Sequence, residues 1–502
     1  MAPCSGTDEQ TKVHTDPSTI QNLPYTNRED YKKFLRERRE ILKERGKDLK
    51  VKYGLTIISS NEFLGTQLLK LPPGLSVEKA LELLKPGPTN HFIERVSPNI
   101  RTCLQSSPQD RPPSEPLWIS GDLWGMVKIG MKKAWELSKE IGGTIGNKNI
   151  VIAVIDTGLD LTHPDLKDNL WNNPDENINT PDPDDDDNGI PNDFHGADWC
   201  QLHNEKPTGN PIDDNGHGTE VSGVSAAKGD NEVHVAGVNW EIQIMVLKTQ
   251  CGVSGGFGDM EHVADAMTYA VDKGAHVINI SLGERADHPA LMDAFNFTNC
   301  QSEFPPPNCR PALVVASAGS DGVKNNDTDP FYPASYGHLH NFNNVISVAA
   351  VNEQEQLFCH DPTQLASAWG SASVDIAAPG EMIHTTFPSY LNEPSGLGIG
   401  QATSIAAPFV SGCAALLQAT RQNLSLPVLP PSQLREIILE SADQVTELGQ
   451  CGGSTATCPA LNGTRDCVVK RRRLNCLKAF DRLPVCSPDC VAPSSPINLS
   501  VQ

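Results

Sequence analysis

Asp156, His217 and Ser404 are the residues whose types and settings suit chemistry. Asp156 ends the apolar run VIAVID and is followed by Thr157 and Gly158. His217 sits in DDNGHGTEVSG, just ahead of the helical stretch TEVSGVSAA. Ser404 opens SIAAPFVSGCAALLQA, a run of small and apolar residues interrupted by Pro408. A hydroxyl is a weak nucleophile until a base takes its proton. A neutral imidazole is such a base, and a carboxylate behind it fixes its tautomer and stabilises the imidazolium that forms. A position near a helix N-terminus disfavours the protonated form of His217. A serine at its own helix start has a backbone N–H aimed where an oxyanion develops. Taken singly, the three have bland explanations: a turn aspartate, a capping histidine, a small serine in a buried helix. Strings this short recur by chance, so the set carries the argument and no member does.

The elements that must position these residues read as follows. NIVIAVID (149–156), IQIMVLKT (242–249), HVINISLG (276–283), ALVVASAG (312–319), NVISVAAV (344–351) and SVDIAAPG (373–380) are short, nearly continuous apolar runs. Such runs suit strands buried on both faces of a parallel sheet. Helical stretches such as GDMEHVADAMTYAVDKG (258–274) lie between several of them. The alternation predicts an α/β fold, a mostly parallel sheet covered by helices on both faces. In such folds chemistry gathers where strands end and helices begin.

Composition narrows the function. The chain has 502 residues and a net charge of −22, which argues against nucleic acid as a partner. No apolar stretch reaches the length of a membrane span. The N-terminus has no apolar core of a signal peptide. Six of the 14 cysteines crowd into residues 451–490. Their spacing lacks the paired C-x₂-C of zinc sites, and disulfides in an oxidising compartment are the preferred reading over zinc. Residues 1–50 read as a charged helical segment, and residues 51–99 as a strand–helix–strand module. SSPQDRPPSEP (106–116) is an exposed linker. Residues 1–116 are weakly basic beside a strongly acidic body.

Three strings, IAVIDTGLDLTHPDL, NGHGTEVSG and ATSIAAPFVSGCAALL, with INISLG and SVDIAAPG between the last two, resemble the signatures of the subtilisin-like serine proteases, the subtilases, in their order. The resemblance covers roughly residues 116–485. It implies a serine endopeptidase acting on polypeptides through Asp156, His217 and Ser404, made as a zymogen. It divides the chain into the charged segment 1–50, a propeptide-like inhibitor module and linker over 51–112, a catalytic domain over 113–486 and a tail over 487–502. Cleavage is expected between residues 99 and 116, and the propeptide acts as an intramolecular inhibitor. Residues 446–472 form a cysteine-containing insertion near the end of the catalytic domain, and Cys300 and Cys309 are plausible disulfide partners.

The family's pattern also assigns binding residues. Ser281, Leu282 and Gly283, with Gly255 and Gly256, offer edge strands for an extended peptide. Ala318 and Gly319 line a roomy, apolar primary pocket of broad preference, a preference for basic residues being the rival. The oxyanion is met by the Ser404 N–H and by Ser320, which stands where relatives carry Asn. Loss of such a donor costs roughly 10²–10³ in turnover, so a slower enzyme is expected. Ala402 replaces a usual Gly before Thr403, and Glu220 a usual second His. The acidic stretch NTPDPDDDDNGIPND contains D-x-D-x-N-G, the opening of a calcium loop, with Asp184, Asp186, Asn188, Asn192 and Asp193 as oxygen donors to a structural Ca²⁺. Secretion follows from the cysteines and the zymogen layout. A catalytically weak homologue that binds peptides is the alternative.

Overall fold

The computed structural model describes most of residues 114–484 and, ahead of them, pieces within residues 10–98; residues 253–257, 301–309 and 450–470 lie outside the description. The chain forms two compact units, one built before Arg111 and one over Arg111–Ser487. In the first, Thr56–Asn61, Thr66–Lys70, Gln10–Thr15 and Ile93–Pro98 form an antiparallel sheet in that order. The strand Gln10–Thr15 lies in the N-terminal segment 1–50, ahead of the charged stretch that suggested a helix. Its sequence, QTKVHT, has one apolar residue and no alternation, so only its two pairing partners make it a strand.

Elements of the second unit are numbered within it. β1 (Gly146–Asp156), β2 (Gly196–His203), β3 (Lys206–Thr208), β4 (Glu241–Lys248), β5 (Val277–Ile280), β6 (Leu313–Ser317), β7 (Val345–Val351), β8 (Ile376–Pro379), β9 (Asp443–Gln444) and β10 (Arg472–Arg473) build one sheet. Its order is β9-β10-β8-β7-β6-β5-β1-β4-β2-β3, parallel except at the two edges. The chain passes from β1 to β4 on one side and then to β5 on the other, so strand order reverses at β1, where crevices form.

Both faces of the sheet are covered. Along β1, Ile150, Ile152 and Val154 enter one core cluster, while Val151, Ala153 and Ile155 enter another. That is why the run has no polar alternation: each face must be apolar, at roughly 1.5–3 kcal/mol for each large side chain fully buried. The first cluster holds α1 (Met131–Gly142), α2 (His217–Ala226) and α4 (Thr403–Asn423), and the second holds α3 (Met260–Asp272). α4 is long and apolar enough to cross a membrane, but it is almost wholly buried in the core. Its Gly412 lies so close to α2 that a Cβ would stand 2.7 Å from Val238 Cβ and 3.0 Å from the Ser225 carbonyl. Two disulfides join distant parts: Cys200–Cys251 ties β2 to the segment after β4, and Cys413–Cys476 ties α4 to the helix Cys476–Asp481.

Candidate active site

Asp156 ends β1 at the reversal of strand order and is 1% exposed. Its Oδ1 accepts from the Thr157 N–H at 2.7 Å and from His217 Nδ1 at 2.7 Å. His217 is the first residue of α2. Gly216 before it has φ 113°, a conformation costly for any side chain, and a Cβ there would strike the Phe387 ring. His217 is 31% exposed, enough for solvent or a substrate to reach the ring. With Nδ1–H given to Asp156, the neutral tautomer carries its lone pair on Nε2.

The expected depression of His217 by its helix is overturned. Burial pulls the imidazole down, but the Asp156 carboxylate and its hydrogen bond, with Glu220 and Asp213, outweigh burial and raise it to about 9. Three acidic neighbours exceed the partial charge of one helix end. Glu220, one turn along α2, is pushed up to about 7 by burial and by Asp156 and Asp213, against the pull of His217.

Ser404 is the second residue of α4 and is partly buried. Among the described residues no hydrogen bond joins its hydroxyl to His217. Its carbonyl has a specific fate. Pro408, four residues on, has no N–H to offer it, and the Ser281 hydroxyl donates to it instead at 2.7 Å. Ser281 is in turn held by Asn279 Nδ2 at 2.9 Å, and Asn279 Oδ1 accepts from Ser411 on α4 at 3.0 Å. The start of α4 is thus tied to the end of β5.

Ser320, expected to meet the oxyanion, is engaged with the start of α4. Its hydroxyl pairs with Thr403 Oγ1 at 2.8 Å and accepts the Thr403 N–H at 3.0 Å, capping the first turn of α4. A hydroxyl on so short a side chain stays with the helix start beside it. Gly319 N–H donates to the same Thr403 Oγ1 at 3.2 Å. Ala318 is fully buried, and Leu282 and Gly283 are partly so. Gly255 and Gly256 lie outside the described residues. Gly319, expected in the primary pocket, and Gly283, expected in an edge strand, face one ring: a Cβ on Gly319 would stand 2.9 Å from Phe331, and one on Gly283 would stand 2.6 Å from it. The Arg285 guanidinium lies over that ring at 5.4 Å and is gripped by Asp321 at 2.7 and 2.8 Å. Phe331, Arg285 and Asp321 were not legible in the sequence, because only the fold brings 283, 319 and 331 together.

The acidic loop is arranged differently from the expected calcium set. Oxygens of Glu176, Asp184 and Asp186 lie within 4.8 Å of one another. Glu176 Oε2 is buried without a hydrogen-bond partner, and burial together with Asp193, Asp186 and Asp185 pushes Glu176 up to about 7. Asp193 instead spends both oxygens on neutral donors: Asn173 at 2.8 Å, Asn188 at 2.9 Å and the Tyr269 hydroxyl at 2.6 Å. Asn188 Oδ1 accepts the Ile190 N–H at 2.6 Å, and Asn192 is exposed. Lys273 pairs with Asp186. A further concentration of negative charge escaped the sequence reading. Glu115 is fully buried with Oε2 unpartnered, and burial, countered by backbone hydrogen bonds, pushes it up to about 7. Its Oε1 accepts the Asn231 N–H at 3.1 Å, while Asn231 Nδ2 donates to buried Asp165 at 2.9 Å. Residues 115, 165 and 231 share no spacing that could signal this.

The profile described as Subtilase family matches residues 147–458. The chain is 29% identical over 406 residues to a thermophilic serine proteinase of Bacillus sp. (strain AK1), covering 81% of this chain and 80% of that one. It is 29% identical to thermitase of Thermoactinomyces vulgaris, over 67% of this chain and 94% of the relative. It is 33% identical to the major intracellular serine protease of Bacillus subtilis, over 55% of this chain and 70% of the relative. Among solved structures, a lanthipeptide protease superposes with a TM-score of 0.50 at 22% identity, covering 74% of this chain and 98% of that one. A protease of Pseudoalteromonas arctica superposes with a TM-score of 0.51 at 20% identity, over 74% of this chain and all of that one.

Proposed function

The chain belongs to the subtilase family of serine endopeptidases, and from that premise we propose that it cuts peptide bonds through Asp156, His217 and Ser404. The single observation that carries the assignment is the 2.7 Å hydrogen bond between Asp156 and His217, formed across 61 residues at the point where strand order reverses. Ser404 Oγ attacks the scissile carbonyl carbon while its proton passes to His217 Nε2. Asp156 holds the Nδ1–H and stabilises the imidazolium. In the first turn of α4 the Thr403 N–H goes to the Ser320 hydroxyl and that of Ile405 to the Ala402 carbonyl, while that of Ser404 meets the developing oxyanion. The imidazolium then protonates the leaving amine, the C–N bond breaks, and water repeats the sequence on the acyl-enzyme.

A fluorophosphonate probe tests this reading. Labelling of the mature protein that vanishes in Ser404→Ala supports it. Absence of labelling supports the weak, peptide-binding homologue, a reading favoured only by the commitment of Ser320 to Thr403.

The Phe331 ring between Gly283 and Gly319 argues for a shallow primary pocket rather than a roomy one. Small apolar residues are the favoured occupants. Turnover of alanyl over phenylalanyl p-nitroanilide peptides should be at least tenfold higher, and a preference for the phenylalanyl substrate would overturn this. Calcium fits the acidic loop through Glu176, Asp184 and Asp186, whose crowded carboxylates and orphaned Glu176 oxygen call for a cation. Its contribution would be structural, fixing the loop against α3. Residues 51–112 act as the inhibitory propeptide, and the disulfides Cys200–Cys251 and Cys413–Cys476 support the secretory route.

A further inference from the structure

Asp213, four residues before His217, is fully buried and has no part in the chemistry above. Its Oδ1 accepts from the Thr157 hydroxyl at 2.8 Å and from the N–H groups of Asn215 at 3.0 Å and Gly216 at 2.8 Å. Its Oδ2 accepts from Thr219, N–H at 3.0 Å and hydroxyl at 2.6 Å. Thr157 follows Asp156 directly, and its oxygen accepts the Gly218 N–H at 2.8 Å. One carboxylate therefore binds both the segment that ends β1 and the segment that begins α2. The backbone of Asp213 is fixed as well: its N–H donates to Leu159 O at 3.2 Å, and its carbonyl accepts from the Tyr390 hydroxyl at 2.9 Å. Hydrogen bonds to an ionised acceptor are roughly twice as strong as neutral ones. Reacting groups hold their geometry only when such a surrounding layer fixes them.

We propose that Asp213 is a positioning residue of the hydrolytic site, clamping Asp156 and His217 from both sides so that their hydrogen bond is held at reactive geometry. The assignment rests on the triad reading given above. Asp213 touches neither the substrate nor the reacting atoms; it acts through Thr157, Gly216 and Thr219.

Its charge is a second lever. The charged groups around His217 are Asp156 at the end of β1, Glu220 on α2 and Asp213 ahead of α2. Behind the clamp, Lys248 of β4 donates to the carbonyls of Thr157 at 2.7 Å and Ile212 at 3.1 Å, and pairs with Asp214 at 2.5 Å. The three carboxylates keep His217 protonated up to about 9, against the opposing effect of burial. Catalysis needs the neutral imidazole, so kcat/KM rises as pH rises towards that value and falls off below it. Removing one carboxylate moves the midpoint down towards 6.5, the ordinary value for histidine.

The test compares two variants of the mature enzyme after titrating active sites with the fluorophosphonate. Asp213→Asn keeps the shape and removes the charge. It should lower kcat by about 10- to 100-fold with little change in KM, and shift the kcat/KM midpoint to lower pH. Thr157→Val cuts the clamp and leaves the charge. It should lower kcat similarly without moving the midpoint. Rates per titrated site equal to wild type in both variants, whatever happens to Tm, would show a merely structural carboxylate and overturn the proposal. Should Asp213→Asn fail to fold, Thr157→Val decides alone, and an unchanged kcat sinks the clamp. A wild-type protein not labelled at Ser404 would overturn the triad reading and the clamp together, whereas a labelled wild type with unaffected variants overturns the clamp only.

Discussion

Ala402 shows how a single residue beside the nucleophile carries strain. Its φ of 107° and ψ of 178° fall in a region populated essentially by glycine. The conformation persists because its N–H donates to Gly380 O at 2.8 Å while its carbonyl accepts from Ile405 at 3.2 Å. Holding Ala there costs about 1–3 kcal/mol, part of which glycine would give back through a freer unfolded chain. Ala402→Gly should therefore stabilise the protein by about 1 kcal/mol, read as a higher denaturant midpoint at unchanged slope. A lower midpoint would show that the strain is not there. Ser320 makes the complementary point. The type of residue was visible in the sequence, but not that its hydroxyl would turn to Thr403.

At the level of elements, α4 and the end of β5 act as a pair. Pro408 leaves the Ser404 carbonyl without its helical donor, and Ser281 supplies one from the segment expected to pair with substrate. An unpaired buried carbonyl costs about 1–3 kcal/mol, and here the penalty would fall on the first turn of α4. Ser281→Ala should lower both stability by roughly that amount and kcat by about tenfold, with Pro408→Ala in the same chain restoring much of the loss by returning a backbone donor. If Ser281→Ala turns over as wild type, the link between strand and nucleophile has no catalytic weight. The proline was plain in the sequence as a small interruption. The donor that compensates for it, 123 residues before Ser404, was not, because nothing local distinguishes Ser281 from any other strand-end serine.

For the molecule as a whole, stability rests on a sheet buried on both faces and the two described disulfides, against the repulsion within a crowded acidic loop. Were calcium held by Glu176, Asp184 and Asp186 as proposed, saturation at about 100 times Kd would contribute about 2.7 kcal/mol. Adding a chelator should therefore lower Tm by several degrees, and calcium but not magnesium should restore it. An unchanged Tm would leave the loop to Lys273 and its neighbours alone.

The sequence by itself determined the doubly covered parallel sheet and the three candidate catalytic residues. Apolar runs such as IVIAVI record burial on both faces, and Asp156, His217 and Ser404 each sit within a string whose meaning is local. Tertiary structure alone decided that Phe331 lies between Gly283 and Gly319, that Asp193 is committed to Asn173, Asn188 and Tyr269, and that three carboxylates raise His217. The reason is physical. Burial leaves a periodic trace along the chain, whereas the strength of a charge or the filling of a pocket depends on distances between residues that the chain order leaves free.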